Sequence, residues 1–149
     1  MGWFSRKIKV QPPYDTLSVE QQRALYFLLE YFGQFATVDL WGVGINSIKS
    51  DAINYLKKAT WYLGLAEKDV ELLRPYHQGI ENLYNTIKGI KNKSALDFMV
   101  NNCYNLVILS EGNNHKPAHD AFYNFWNSLG YSNDEIFTIT RKYMYRTDI

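Results

Sequence analysis

The sequence predicts an all-α fold, a compact bundle of about six or seven helices. Three observations carry this. Apolar residues recur at three- and four-residue spacing, as in Leu25, Leu28, Leu29, Phe32 and again in Phe122, Phe125, Trp126, Leu129. Helix-start and helix-stop signals bracket these runs: Ser18 with Gln21, Ser132 with Glu135, then Gly64 and Gly130. No segment sustains the apolar–polar alternation of a strand. The 149 residues suit one domain with a core of its own.

Residues 1–17 carry Pro12-Pro13 and no helical period, and read as an N-terminal arm ending in a stiff turn. The domain proper is expected over 18–145, with a polar tail at 146–149. The first helix begins after Ser18, whose hydroxyl and the Gln21 side chain form a capping box. Val38 to Asn46, with Trp41, Gly42 and Gly44, reads as a loop. The second helix spans about 47–63, buries Ala52, Tyr55, Leu56 and Ala59, and stops at Gly64. A short third helix opens with Glu67 and Asp69, which complement the helix dipole, and ends at Pro75. A further helix presents Tyr76, Ile80, Leu83, Tyr84 and Ile87 on one face. The next opens at Ser94 with Asp97 as a capping pair. Its broad apolar face (Leu96, Met99, Val100, Cys103, Leu106, Val107) marks a central helix. Pro117 fits the first position of the following helix, which Gly130 closes. The last helix carries Ile136, Ile139 and Tyr143 on its inner face.

Composition excludes several classes. A net charge of +1 argues against a generic nucleic-acid binder, which shows a basic face. The single cysteine, Cys103, excludes an internal disulfide and a cysteine zinc finger. No run approaches the ~18–20 apolar residues of a transmembrane helix. Residues 1–9 lack a signal-peptide core because Arg6, Lys7 and Lys9 interrupt it, so a cytoplasmic location is expected. Trp3, Phe4 and those basic residues offer only a weak membrane-surface contact.

The chain also repeats. A shift of 66 residues lays Leu63-Gly64-Leu65 on Leu129-Gly130-Tyr131, Val70 on Ile136 and Leu73 on Ile139. Each unit reads helix, loop, helix, Leu-Gly break, acid-opened helix, which predicts two pseudo-repeated units sharing one core. The run Val107-Ile108-Leu109-Ser110-Glu111-Gly112, the helix 118–129 and Gly130-Tyr131-Ser132-Asn133-Asp134-Glu135-Ile136 resemble the TerB-like helical domains of tellurite resistance. The resemblance implies that fold over about residues 18–143 and a bacterial stress-response setting. Family members place divalent-cation-binding acids in Asp-Gly loops. This chain has Glu111-Gly112 in the second loop, Ala118, His119 and Asp120 where the next helix starts, and Val43-Gly44-Ile45-Asn46 in the first loop.

One polar constellation could carry chemistry. Glu111, Asn113, Asn114, His115, His119 and Asp120 offer oxygen and imidazole donors suited to a divalent cation, with Glu111, His115, His119 and Asp120 as candidate ligands. The plainer expectation is a solvated loop, and no cofactor. A nucleophilic role for Cys103 is disfavoured by its apolar helix.

Aromatic residues make up 16% of the chain. Phe32, Tyr55, Tyr76, Tyr84, Phe122, Phe125, Trp126 and Tyr143 fall on inward faces. Trp3, Phe4, Tyr14, Trp41, Tyr104, Tyr123 and Tyr131 fall on arms, loops or outer faces. Of these, Trp3, Trp41, Tyr123 and Tyr131 are candidate contacts for a protein partner. The leading expectation is a non-enzymatic binding or interaction domain. A divalent-cation domain using the 111–120 loop is the alternative, and a hydrolase the third.

Overall fold

The computed structural model describes residues 9–37, 46–65, 79–109 and 115–142. Among them are six α-helices and no strand: α1 (Val19–Thr37), α2 (Asn46–Tyr62), α3 (Ile80–Ile87), α4 (Lys93–Leu109), α5 (His115–Ser128) and α6 (Asn133–Lys142). They form a compact all-α bundle. The expected short helix over 66–75 and Pro75 lie outside the described residues.

The helices start where side chains satisfy orphan backbone donors. The Ser18 hydroxyl accepts from the Gln21 amide at 3.1 Å, and the Gln21 side chain accepts from the Ser18 amide at 3.1 Å. Ser132 and Glu135 repeat the exchange at α6, at 3.1 and 3.4 Å. The start of α4 differs from the sequence expectation. Asn92 caps it, its side-chain oxygen accepting from the Ala95 amide at 3.2 Å. Ser94 lies inside the helix, and Asp97 is engaged elsewhere. Helix α5 begins two residues before Pro117, which occupies the third helical position. An N–H there has no intrahelical acceptor, so proline is still tolerated.

The Leu-Gly breaks at the ends of α2 and α5 have one geometry. Gly64 and Gly130 hold φ of +78° and +97°. The Leu65 amide donates to the Thr60 carbonyl and the Gly64 amide to that of Trp61. The Tyr131 and Gly130 amides donate likewise to the carbonyls of Trp126 and Asn127. Both are Schellman motifs, which need a left-handed residue that glycine supplies without a Cβ penalty.

Helices α1 and α4 make the most extensive contact and form the central pair. Each packs on α2 and on α5, a reciprocal pattern between the α1–α2 and α4–α5 units. Helix α3 adds to α1, and α6 to α4. Leu25, Leu28, Leu29 and Phe32 of α1 and Met99, Val100, Cys103, Leu106 and Val107 of α4 are fully buried. Gly33 lets α2 approach α1 closely, because a Cβ there would lie 2.8 Å from a Leu56 methyl.

The second half of the N-terminal arm is built into this core. The Gln11 amide donates to the Tyr62 carbonyl at 2.8 Å, and a 3-10 turn at Tyr14–Thr16 follows. Tyr14 is fully buried, which corrects its expected outward position. Its hydroxyl accepts from the Asn102 amide at 2.6 Å. Asn102 in turn accepts from the Tyr55 hydroxyl at 2.8 Å, and Tyr55 accepts from Asn105 at 2.9 Å. This chain of hydrogen bonds ties residue 14, α2 and α4 together. Burial raises the Tyr55 phenol well above the ordinary tyrosine value, an effect the Asn105 bond partly opposes.

Candidate functional site

An open groove of about 710 Å³ lies between α1, α3 and α5. Tyr31 from α1, Tyr84 and Ile80 from α3 and Phe125 from α5 give it apolar walls. Glu81, Asn85, Asn124 and Ser128 supply polar groups along its margin.

The sequence places these walls by helical spacing. Tyr84 follows Ile80 by four residues, so both project from one side of α3. Leu83 and Ile87 turn into the core and fix the roll of that helix. The Tyr84 hydroxyl donates to the Ser128 carbonyl at 2.9 Å, tethering α3 to the last turn of α5. Its ring meets Phe125 edge-on, with centroids 6.2 Å apart and planes at 90°. Phe125 leans on Phe32 and Trp126 behind it, which hold its ring in place. Tyr31 is braced by Phe32 and Phe35 at 5.2 and 5.6 Å. Tyr84 and the largely buried Phe125 thus meet edge to face, with Tyr31 on the same groove.

A second concavity of about 530 Å³ shares Asn124 with it and is lined further by His119, Asp120, Tyr123 and Asn133. It gathers two of the candidate metal ligands and one candidate contact residue. The His119 ring leans against Tyr123, with centroids 4.6 Å apart and planes at 39°. The Asp120 carboxylate binds the Lys116 ammonium at 2.8 Å, and this hydrogen bond holds its pKa below the usual value. Tyr123 is shifted upward, first by burial and then by the neighbouring Tyr104. Glu111 and the His115 side chain lie outside the described residues. No group of three or more metal-ligating side chains assembles among the described residues.

The remaining sequence candidates separate. Trp3 and Trp41 lie outside the described residues. Tyr131 is only 5% exposed, so it is not an outward contact residue. Its ring packs edge-on against Trp126, its hydroxyl donates to Asp97 at 2.7 Å, and the Lys93 ammonium covers it at 4.1 Å. Tyr131 follows a left-handed glycine, where a helical period gives no guidance to facing. Cys103 is fully buried, and burial pushes its thiol well above the ordinary range, against a partial lowering by the Trp126 indole. A thiol held protonated there is a packing residue. No described helix is long and apolar enough to cross a membrane.

Comparison with protein-family models, with curated proteins and with solved structures finds no match.

Proposed function

We propose that the chain is a non-enzymatic binding domain and that its binding surface is the groove between α1, α3 and α5. One observation carries the reading. A concavity of about 710 Å³ combines ring walls with a small number of polar groups at its margin. That size and mixture are what small-ligand sites of about 300–1,000 Å³ use, apolar area for affinity and a few polar groups for orientation. The walls stand on three helices, each anchored in the core, so the shape exists before a ligand arrives. Such preorganisation lowers the ordering cost of binding. The TerB-like sequence pattern extends this reading to a bacterial stress-response setting, by analogy of fold.

Amide chemical-shift mapping of the ¹⁵N-labelled chain against a set of small neutral and charged aromatic, aliphatic and ammonium fragments tests the proposal. The expected result is saturable shifts concentrated at Tyr31, residues 80–85 and residues 121–128. Saturable binding confined to other faces would overturn it.

A further inference from the structure

Helix α6 turns Ile136 and Ile139 into the core and leaves Asp134, Phe137, Thr138 and Arg141 exposed on its outer side. These four positions follow the three- and four-residue spacing of one helical face. Phe137 is 61% exposed, the most open large apolar side chain among the described residues. The Arg141 guanidinium lies over this ring, 6.0 Å from its centroid, which keeps the charge on the same face. The Thr138 hydroxyl donates to the Asp134 carbonyl at 3.0 Å, so the helix's own backbone engages it. Among the described residues neither Asp134 nor Arg141 makes an ion pair. They cannot pair with each other, because seven residues of helix separate them by about 10 Å.

The order acid, phenylalanine, threonine, base is self-complementary. A second α6 laid antiparallel on the first, with a two-fold axis between positions 137 and 138, sets Asp134 opposite the second copy's Arg141 at both ends. Phe137 then rests on the second copy's Thr138, twice. A parallel pairing would set Asp134 on Asp134 and Arg141 on Arg141, so the charges select the antiparallel one. The helix dipole favours an acid at the start and a base at the end of any helix, but it does not call for an exposed phenylalanine between them. A contact that uses the same patch on both partners closes at two copies.

We propose that α6 is a homodimer contact: two copies of this chain pair through antiparallel α6 helices, with Phe137 at the centre and an Asp134–Arg141 ion pair at each end. One helix face per copy buries less than the ~1,200 Å² at which stable interfaces begin, so the association is weak and reversible. No wall of the groove between α1, α3 and α5 comes from α6, so this contact is independent of the binding surface.

Sedimentation equilibrium of the full chain tests the proposal. The wild type is expected to exchange between monomer and dimer with a Kd between about 20 μM and 1 mM. Asp134→Arg and Arg141→Asp each place like charges at both ends, and each should weaken self-association at least about tenfold. Mixed one to one, the two variants again present opposite charges at both ends, and should form a heterodimer with a Kd near that of the wild type. Phe137→Ser, a change at an exposed position, should weaken self-association by a similar factor. Circular dichroism of each variant checks that the helices remain. A wild-type chain that stays monomeric up to about 1 mM overturns the proposal. Single variants that associate as tightly as wild type, or a mixture that associates no better than its components, overturn it as well. So does undiminished association of Phe137→Ser.

Discussion

Substituting Tyr55→Phe removes one hydroxyl from the chain Tyr14–Asn102–Tyr55–Asn105. The ring stays, so packing changes little. The side-chain oxygen of fully buried Asn102 loses the donor it held at 2.8 Å. An orphaned buried acceptor costs about 1–3 kcal/mol. Asn105 loses its acceptor at 2.9 Å but is only partly buried, so water replaces most of that bond. The expected sum is about 1–3 kcal/mol, and a chain of this size loses about 2–4 °C in Tm per kcal/mol. The decisive assay is urea unfolding of Tyr55→Phe in two backgrounds, wild type and Asn102→Leu. In the second background Asn102 no longer needs a donor. The same substitution should then be nearly neutral, a coupling of about 1 kcal/mol or more. Equal costs in both backgrounds would refute the claim that these residues form one connected network. An unchanged m-value is required for either conclusion.

Asn101 is 1% exposed and neither side-chain polar atom has a hydrogen-bond partner among the described residues, so Asn101→Leu is expected to raise stability by about 1–3 kcal/mol; a lower Tm would show that the site needs its polarity. Gly130→Ala meets no steric obstacle but must hold φ near +97°, and should cost about 1–2 kcal/mol by calorimetry; an unchanged Tm would contradict the left-handed end of α5. Burial raises Cys103 and Tyr55 above their ordinary values of 9.0 and 10.0, so the folded chain keeps protons that the unfolded chain gives up. Their stabilisation is complete below pH 9 and is lost as pH rises, by up to about 1.4 kcal/mol per unit for each group. Tyr131 shifts in the same direction, through burial first and then its hydrogen bond to Asp97. A Tm that stays flat from pH 8 to 11 would refute this.

Much of the fold is legible in the sequence where local chemistry decides it. Ser18–Gln21, Ser132–Glu135, Gly64 and Gly130 act through neighbours within five residues, and the structure uses all four as expected. The broad apolar face of 96–107 similarly announced the central helix α4. Legibility fails where a helical period gives no facing. Tyr14 and Tyr131 sit in a turn and after a glycine, and long-range contacts with Asn102 and Asp97 draw both inward. It also fails between competing local signals. Asn92 is two residues ahead of Ser94 and takes the cap, because Asp97 is drawn to Tyr131 and Lys93. The groove was not legible as a site. Helical spacing places Tyr84 and Phe125 on inward faces, but whether an inward ring is covered or lines a concavity depends on the spacing of three helices. The polar loop that did stand out contributes His119 and Asp120 to a neighbouring hollow, with Asp120 committed to Lys116.

The most direct measurement of the central claim fills the groove from within. Ala121 lines it from α5 and is only partly buried, so Ala121→Trp places an indole in the concavity and leaves the core alone. Titration of wild type and Ala121→Trp with whichever fragment shifts the groove residues most should show saturable binding that the substitution abolishes, with a Tm change of only a few degrees. Undiminished affinity in a folded Ala121→Trp chain would contradict the assignment of the groove as the binding surface.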